Sequence, residues 1–408
     1  MDSSPTFVIV GGGLAGAQAA QSLRDSEFTG RIILIGDEPR LPYERPPLSK
    51  GILRGDDPDE SADALPADFY TSHEIELMTG TEVTEIDTDA RVVHAGGNAI
   101  PFDRLLVATG STSRHLPLPG ADLAGIHYLR TFEDMTELRS ALKSSSSVAI
   151  VGAGWIGSEV AASARQLGLD VTIIDMAATP LEAVVGRQIG EVFADLHREH
   201  GVTLTMNANV KGFVGSDNGR VVGIETADGR VDADVVVVGI GASPRTELAE
   251  SAGLEISATT HGITVDTSLQ TSVPGIYAAG DVASVTRPDI GIDLRVEHWA
   301  TALTQGQAAG RNMLGAGEAY MNVPFFFSDQ YDLGLEYCGY PVPWDRVVVR
   351  GDTGSREFIA FWLSGSRVTA AMNVNVWDVN ETLQALIASG RSVDDSRLAD
   401  SDVPLESL

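Results

Sequence analysis

Thr6-Phe-Val-Ile-Val-Gly-Gly-Gly-Leu-Ala-Gly16 sets three kinds of residue in an order that reads as strand, tight turn and helix. β-Branched and aromatic residues run into glycines at 11, 13 and 16, and Ala17-Gln-Ala-Ala-Gln-Ser-Leu23 continues as a helix. Gly11 permits the turn, Gly13 lets the backbone approach a pyrophosphate, and Gly16 lets helix and strand pack closely. Phosphates would then meet a helix N-terminus, where unpaired N–H groups and the dipole favour negative charge. A second strand, Arg31-Ile-Ile-Leu-Ile-Gly36, ends in Asp37, placed to accept from an adenosine ribose. A lone glycine fingerprint is weak evidence. With both flanking elements and a correctly spaced acid, dinucleotide binding outweighs a bland glycine-rich turn.

The fingerprint recurs. Ser147-Val-Ala-Ile-Val-Gly-Ala-Gly-Trp-Ile-Gly157 places glycines at 152, 154 and 157 ahead of the helix Ser158-Glu-Val-Ala-Ala-Ser-Ala-Arg-Gln-Leu167. The next strand, Asp170-Val-Thr-Ile-Ile-Asp175, again ends in an acid. Two matching βαβ units predict two bound dinucleotides. Asp175 can accept from both ribose hydroxyls, and Met176-Ala-Ala-Thr179 offers no arginine for a 2′-phosphate, so NADH is expected over NADPH.

At 408 residues the chain exceeds one ordinary core, and 43% hydrophobic residues suit a globular protein. No apolar run approaches the ~20 residues of a bilayer span, and the first five residues carry no secretory signal, so a cytoplasmic location is expected. With 28 basic against 57 acidic residues the net charge is −29, which argues against nucleic acid or anionic membrane as partners. Only three lysines occur, Lys50, Lys143 and Lys211. The one cysteine, Cys338, excludes an intrachain disulfide and any Cys-x-x-Cys site, so no metal site is expected. It reads as a small buried hydrophobe.

Between the repeats, four prolines in Glu38-Pro-Arg-Leu-Pro-Tyr-Glu-Arg-Pro-Pro-Leu-Ser-Lys50 force an irregular loop, with a short helix starting at Pro46 or Pro47. Residues 52–68 read as a solvent loop. Strands are expected at 74–78, 81–86, 91–94, 99–100 and 104–110, with a Pro-rich crossover at 113–120. After the second repeat come a helix at 186–199, a strand at 202–205, a hairpin near Asp228-Gly229 and a buried strand at 233–239. Pro274-Gly-Ile-Tyr-Ala-Ala-Gly-Asp281 reads as a strand ending in Gly-Asp. Residues 297–313 read as a helix with small apolar positions, suited to close packing beneath a cofactor. From Val323, four or five alternating antiparallel strands and a helix at 380–389 read as an α+β domain. The fold class is therefore α/β: two Rossmann-like dinucleotide-binding domains and a C-terminal α+β interface domain. The expected division is one dinucleotide-binding domain over 1–112 and 241–321, a second over 113–240, and an α+β domain over 322–408. The family resemblance described next implies that these are the FAD-binding, NAD-binding and interface domains.

These words together resemble the FAD-dependent, NAD(P)H-using ferredoxin reductases of the putidaredoxin, rhodocoxin and arene-dioxygenase type, within the wider glutathione-reductase fold. The likeness rests on Gly11-Gly-Gly-Leu-Ala-Gly, Tyr43-Glu-Arg-Pro-Pro-Leu-Ser-Lys50, Leu106-Val-Ala-Thr-Gly110, Gly152-Ala-Gly-Trp-Ile-Gly-Ser-Glu159, Ala279-Gly-Asp281 and Phe327-Ser-Asp-Gln-Tyr-Asp332. It implies FAD held by Gly11, Gly13, Leu14, Ala15, Gly16 and Asp37, with Val83 on the adenine side and Arg130 near the adenosine. Arg45, Ala108, Thr109, Gly110, Gly280 and Asp281 complete its contacts, with Glu297, His298 and Trp299 towards the isoalloxazine. Gly152, Gly154, Trp155, Ile156, Gly157, Asp175 and Gly241 would hold NADH. Arg130 is also readable as a surface charge, Trp299 as packing, and His298 as structural rather than as an acid or base.

The resemblance puts Lys50 beside the flavin, where an ammonium stabilises negative charge as it develops, and pairs it with Glu159. These two are the expected catalytic residues. The expected activity is hydride transfer from NADH to FAD, then single electrons to a [2Fe–2S] ferredoxin serving a cytochrome P450 or Rieske oxygenase. A monomer or homodimer is compatible with this. Disulfide reductases of the same fold need a cysteine pair, and the NADH oxidases and peroxidases a single cysteine where this chain reads Pro46-Pro-Leu-Ser-Lys50. A redox sensor of the apoptosis-inducing-factor kind is the rival from another class. Arg287, Arg295 and Arg311 flank the flavin segment and are readable either as a local positive patch that steers an acidic ferredoxin or, each, as an ordinary surface charge.

Overall fold

Strands that are apolar on both faces belong in parallel sheets covered on both sides. The computed structural model describes residues 4–408 and places the first such run, Thr6–Val10, at the centre of one. It pairs in parallel with Arg31–Ile35 and Arg104–Val107, and the sheet continues through Ile75–Met78 at one edge and Ile276–Ala278 at the other. Val8, Ile9, Ile32, Ile33, Leu34 and Leu105 are fully buried in it. This sheet belongs to a compact unit made of residues 1–44, 60–112 and 242–322.

The unit's two long helices, Leu14–Asp25 and Trp299–Met313, pack directly on each other. A Cβ on Gly306 would collide with the Ala15 carbonyl oxygen, and one on Gly310 would press on the Ala19 carbonyl. The small residues of the later helix therefore serve helix–helix approach. That helix begins at Trp299, with His298 as its N-cap, so Glu297 and His298 lie ahead of it rather than inside it. Two small three-stranded sheets also belong to the unit. Val83–Asp87, Val92–Ala95 and Asn98–Pro101 form an antiparallel set, in which the second and third strands make the expected pair. Ile263–Val265, Ala283–Arg287 and Ile292–Leu294 form another that short, mixed sequences did not signal.

A second compact unit comprises residues 45–59, 113–241 and 323–408. Its parallel sheet runs Thr203–Thr205, Asp170–Ile174, Ser147–Val151, Val235–Val238, Ile126–His127. An antiparallel sheet follows in the order Phe325–Gln330, Leu333–Gly339, Arg367–Val374, Glu357–Ser364, Arg346–Asp352. The helix Glu182–Glu199 buries Val185, Ile189, Phe193 and Leu196 against Leu335, Trp362 and Met372 of that sheet. The Trp362 indole donates to the Val185 carbonyl at 3.1 Å. Gly186 breaks the helix's first turn with φ +75°, and a Cβ there would collide with the Trp344 ring.

The stretch 52–68 departs from the expected solvent loop. Residues Gly51–Arg54 form a helical turn with Ile52 and Leu53 fully buried, and Ala62 and Leu65 are buried as well. Acidic composition hid four apolar anchors.

Candidate functional site

In the first unit the glycines sort by role. Gly11 has φ +124°, and a Cβ on it would collide with the Ala108 carbonyl oxygen, while a Cβ on Gly16 would collide with the Gly11 carbonyl. Gly13 has nothing within 4 Å of its Cβ position. It caps the helix Leu14–Asp25 without any side-chain hydrogen bond, and no acid occupies the first turn. The open middle glycine, closed outer ones and uncapped helix start fit a pyrophosphate.

Other candidates converge on the same turn. A Cβ on Gly280 (φ +78°) would lie 3.1 Å from the Ala15 methyl, and the Gly280 N–H donates to the Gln305 side chain at 2.8 Å. Gln305 is buried and was not anticipated. Arg295 donates to the Asp281 carbonyl at 3.1 Å and to the Glu297 carboxylate at 2.7 Å. His298 is half-buried with its ring desolvated, which drives its pKa down to about 4 against the opposing charge of Asp281. Burial raises the Glu44 carboxyl pKa more than the neighbouring Trp299 indole lowers it. Thr109 Oγ1 donates to the Arg245 carbonyl at 2.7 Å, and the Arg245 N–H to the Gly110 carbonyl at 2.9 Å. Val83 is buried in its small sheet.

Asp37 ends its strand as expected but has a partner that the sequence did not announce. Arg245 Nη2 donates to Asp37 Oδ2 at 2.8 Å, with both side chains nearly half exposed. Burial raises the Asp37 pKa, but the Arg245 hydrogen bond and charge, with backbone N–H groups, more than offset it and hold the carboxyl below its ordinary range.

The second unit repeats the glycine geometry. A Cβ on Gly152 (φ +104°) would collide with the Gly239 carbonyl oxygen and one on Gly157 with the Gly152 carbonyl, while Gly154 faces open space. Asp175 accepts from the Ala153 N–H at 2.6 Å and the Ala177 N–H at 2.7 Å. Met176, next to it, is 74% exposed, and Ile156 is also exposed. Trp155 instead turns into an aromatic cluster, edge-on to Phe193 and Phe326 with centroids 6.1 and 4.9 Å away. Gly241 (φ +103°) accepts from the Arg114 N–H at 2.9 Å. Arg45 donates to the Arg130 carbonyl, and the Arg130 N–H donates to Asp134 at 3.0 Å.

Lys50 and Glu159 meet in this unit. Lys50 Nζ lies 2.9 Å from Glu159 Oε2 and donates to the Pro46 carbonyl at 3.2 Å. The carboxylate is 4% exposed and also receives Ser49 Oγ at 2.5 Å and Ser328 Oγ at 2.7 Å. Lys50 Nζ sits 5.6 Å from the Phe327 ring centroid. Neither serine was singled out from sequence, although Ser328 lies inside the Phe327–Asp332 motif, whose polar residues on a strand were the available signal.

The patch reading of the three arginines is not what the structure holds. Arg287 is 1% exposed and grips Asp289 through two hydrogen bonds of 2.9 and 2.8 Å. Arg295 is paired with Glu297, and Arg311 with Glu318 through two bonds of 2.7 and 3.0 Å. Each charge is neutralised by a carboxylate close by in sequence, so the three do not add to a positive field. Cys338 is fully buried in the C-terminal sheet, and burial pushes its thiol pKa up.

Residues 5–306 match the pyridine nucleotide-disulphide oxidoreductase family and residues 325–408 the reductase C-terminal family. The chain is 39% identical to rhodocoxin reductase of Rhodococcus erythropolis, over 98% of this chain and 93% of that one. It is also 39% identical to the anthranilate 1,2-dioxygenase system ferredoxin–NAD(+) reductase component of Burkholderia cepacia, over the full length of both. The crystal structure of the ferredoxin reductase for the CYP199A2 system from Rhodopseudomonas palustris superposes with a TM-score of 0.94 at 34% identity, covering 98% of this chain and 99% of that one. The chain belongs to the pyridine nucleotide-disulphide oxidoreductase family, among its ferredoxin reductases.

Proposed function

We propose that this enzyme oxidises NADH and delivers single electrons to a [2Fe–2S] ferredoxin that feeds a cytochrome P450 or ring-hydroxylating oxygenase. Bound FAD supplies the step between a two-electron donor and a one-electron acceptor. The observation that carries the reading is the Lys50–Glu159 pair at the end of the Pro-rich loop, where the sulfur-using relatives need cysteine. The chain's sole thiol is buried in the C-terminal sheet, away from that loop in sequence and held protonated by burial. Thiol exchange and sulfenic-acid chemistry therefore have no residue to run on.

In this reading Gly11, Gly13, Leu14, Ala15, Gly16 and Asp37 hold the ADP half of FAD, with Val83, Ala108–Gly110, Gly280 and Asp281 around it. Arg45 and Arg130 serve the adenosine, and Trp299 serves the ring system with Glu297 and His298. Gly152, Gly154, Ile156, Gly157, Asp175 and Gly241 bind NADH, while Trp155 acts by packing. Lys50 stabilises negative charge as it develops, and Glu159 holds the ammonium in place. Residues 1–112 with 241–321, 113–240 and 322–408 are the FAD, NAD and interface domains of this reading, and a cytoplasmic location accords with it. Among the described residues no helix is long and apolar enough to cross a membrane.

The test is NADH-driven reduction of cytochrome c with and without a [2Fe–2S] ferredoxin. Turnover should depend on the ferredoxin, and turnover on oxygen or a disulfide at the same rate overturns the assignment. Lys50→Met should slow flavin reduction far more than it weakens FAD binding. Equal effects on both would make Lys50 a structural residue.

A further inference from the structure

The Glu159 carboxylate is held unevenly. Lys50 Nζ and Ser49 Oγ both reach Oε2, at 2.9 and 2.5 Å. Ser328 Oγ is the donor on Oε1, at 2.7 Å. Two donors on one oxygen fix that oxygen but leave the carboxylate plane free to turn about it. The bond to Ser328 stops the turn. Ser328 is fully buried and held in register opposite Leu335 on the antiparallel sheet, with Gln330, also fully buried, on the same strand face. Gln330 Nε2 donates towards Ser328 Oγ at 3.5 Å, which turns the hydroxyl proton to Glu159. Polar groups on a buried strand face cost stability unless bonded, and packing alone would be served by alanine or valine.

We propose that Ser328 is a positioning residue for the redox chemistry: its hydroxyl orients the Glu159 carboxylate and so sets how much of the Lys50 charge remains to act on bound FAD. This rests on the reading of Lys50 and Glu159 given above. Asp329 and Arg54 are charged groups near the Lys50–Glu159 pair. Asp329 feels both Lys50 and Glu159, and Arg54 hydrogen-bonds Ser163, one turn along the same helix, at 3.4 Å.

The experiment uses the FAD-loaded full chain as Ser328→Ala, Ser328→Thr, Glu159→Ala and the Ser328→Ala/Glu159→Ala double variant. Two quantities are read: the midpoint potential of bound FAD against reference dyes, and anaerobic flavin reduction by NADH. Removing the anion beside Lys50 should make the potential of Glu159→Ala more positive. Ser328→Ala should shift it the same way by less, and should change the reduction rate by up to about tenfold in the same direction as Glu159→Ala, with the NADH KM little changed. The double variant should match Glu159→Ala, because Ser328 acts only through that carboxylate. Ser328→Thr, which keeps the hydroxyl, should match the parent. Additive effects in the double variant, or Ser328→Thr behaving like Ser328→Ala, overturn the proposal. If Ser328→Ala does not retain FAD, Ser328→Cys, similar in size and a weaker donor, replaces it and should fall between parent and Glu159→Ala. Potential and rate unchanged in both Glu159→Ala and Lys50→Met would instead refute the reading of the pair itself. A shifted Glu159→Ala beside a silent Ser328→Ala refutes only the role of Ser328.

Discussion

Two glycine turns in this molecule are near copies, and their acids are not. Around Gly11 and Gly152 the same carbonyl contacts close the turn, and Gly13 and Gly154 leave the same open space. Yet Asp37 adds the Arg245 side chain to the backbone N–H groups of its own loop, whereas Asp175 is tied to the backbone N–H groups of Ala153 and Ala177. The first acid answers also to a residue 208 positions away, the second to its own turn and loop. A repeated motif thus dictates backbone, while the partners of its carboxylate depend on what else the fold delivers. Asp175 is built into the second turn, and Asp37 is tethered from outside the first.

The strongest test of the likeness is to fill the turns. Gly11→Ala and Gly152→Ala each impose an unfavourable positive φ, about 1–3 kcal/mol, and a clash worth about another 1–3 kcal/mol. Both should unfold well below the parent in denaturant, with FAD retention lost in the first and NADH reduction lost in the second. Gly13→Ala and Gly154→Ala meet no atom, so stability should hold while FAD and NADH affinity fall respectively. If Gly13→Ala is as unstable as Gly11→Ala, the middle glycine is not facing a ligand space.

Acid should weaken both units through a desolvated histidine in each. His298 and His197 are both driven down to about 4 by burial. A folded-state pKa below the unfolded value means the unfolded chain binds more protons between about pH 6.5 and 4. Stability is therefore full above that window and declines as pH falls through it, by up to about 3 kcal/mol per histidine. His197→Gln should flatten the decline in denaturant titrations at successive pH values, and an unchanged slope would remove His197 from the cause.

The difference between the acids predicts smaller effects. Asp175→Asn keeps one acceptor for the turn but removes the charge, so an NADH preference of at least tenfold, about 1.4 kcal/mol, should shrink towards parity in kcat/KM. A preserved preference would mean that Asp175 serves only its loop. Arg245→Ala should cost least, about 0–1 kcal/mol, because the pair is nearly half exposed. Asp37 lies below its ordinary pKa, so the pair's contribution is present above about pH 4 and lost as pH falls below it. Arg245→Ala should reduce that acid-side loss, and thermal melts between pH 5 and 3 would detect it.

Much of the site was legible because its signals are local. Phe-Val-Ile-Val before Gly11 and Val-Ala-Ile-Val before Gly152 state buried parallel strands, and the glycine spacing states the turn that follows. The long helix over Trp299–Met313 was legible too, but not the purpose of its small residues, which admit the backbone of Leu14–Asp25. The patch reading of the arginines failed for a related reason. A formal count shows charges but not that Asp289, Glu297 and Glu318 stand within reach of Arg287, Arg295 and Arg311. Residues 52–68 read as solvent-exposed because acidic neighbours outnumber Ile52, Leu53, Ala62 and Leu65, all four of which are buried.

By itself the sequence determined two dinucleotide turns, their acids, the absence of a cysteine pair and the antiparallel character of the C-terminal strands. Those follow from residue type and short spacing, where φ limits, strand alternation and helix starts leave little choice. Only the tertiary structure decided that Ser49, Lys50, Glu159 and Ser328 form one buried cluster and that Arg245 answers Asp37. Such pairings join residues more than a hundred positions apart. Their formation depends on which faces the packed sheets and helices bring within 3 Å of each other, a distance that no local pattern of residues encodes.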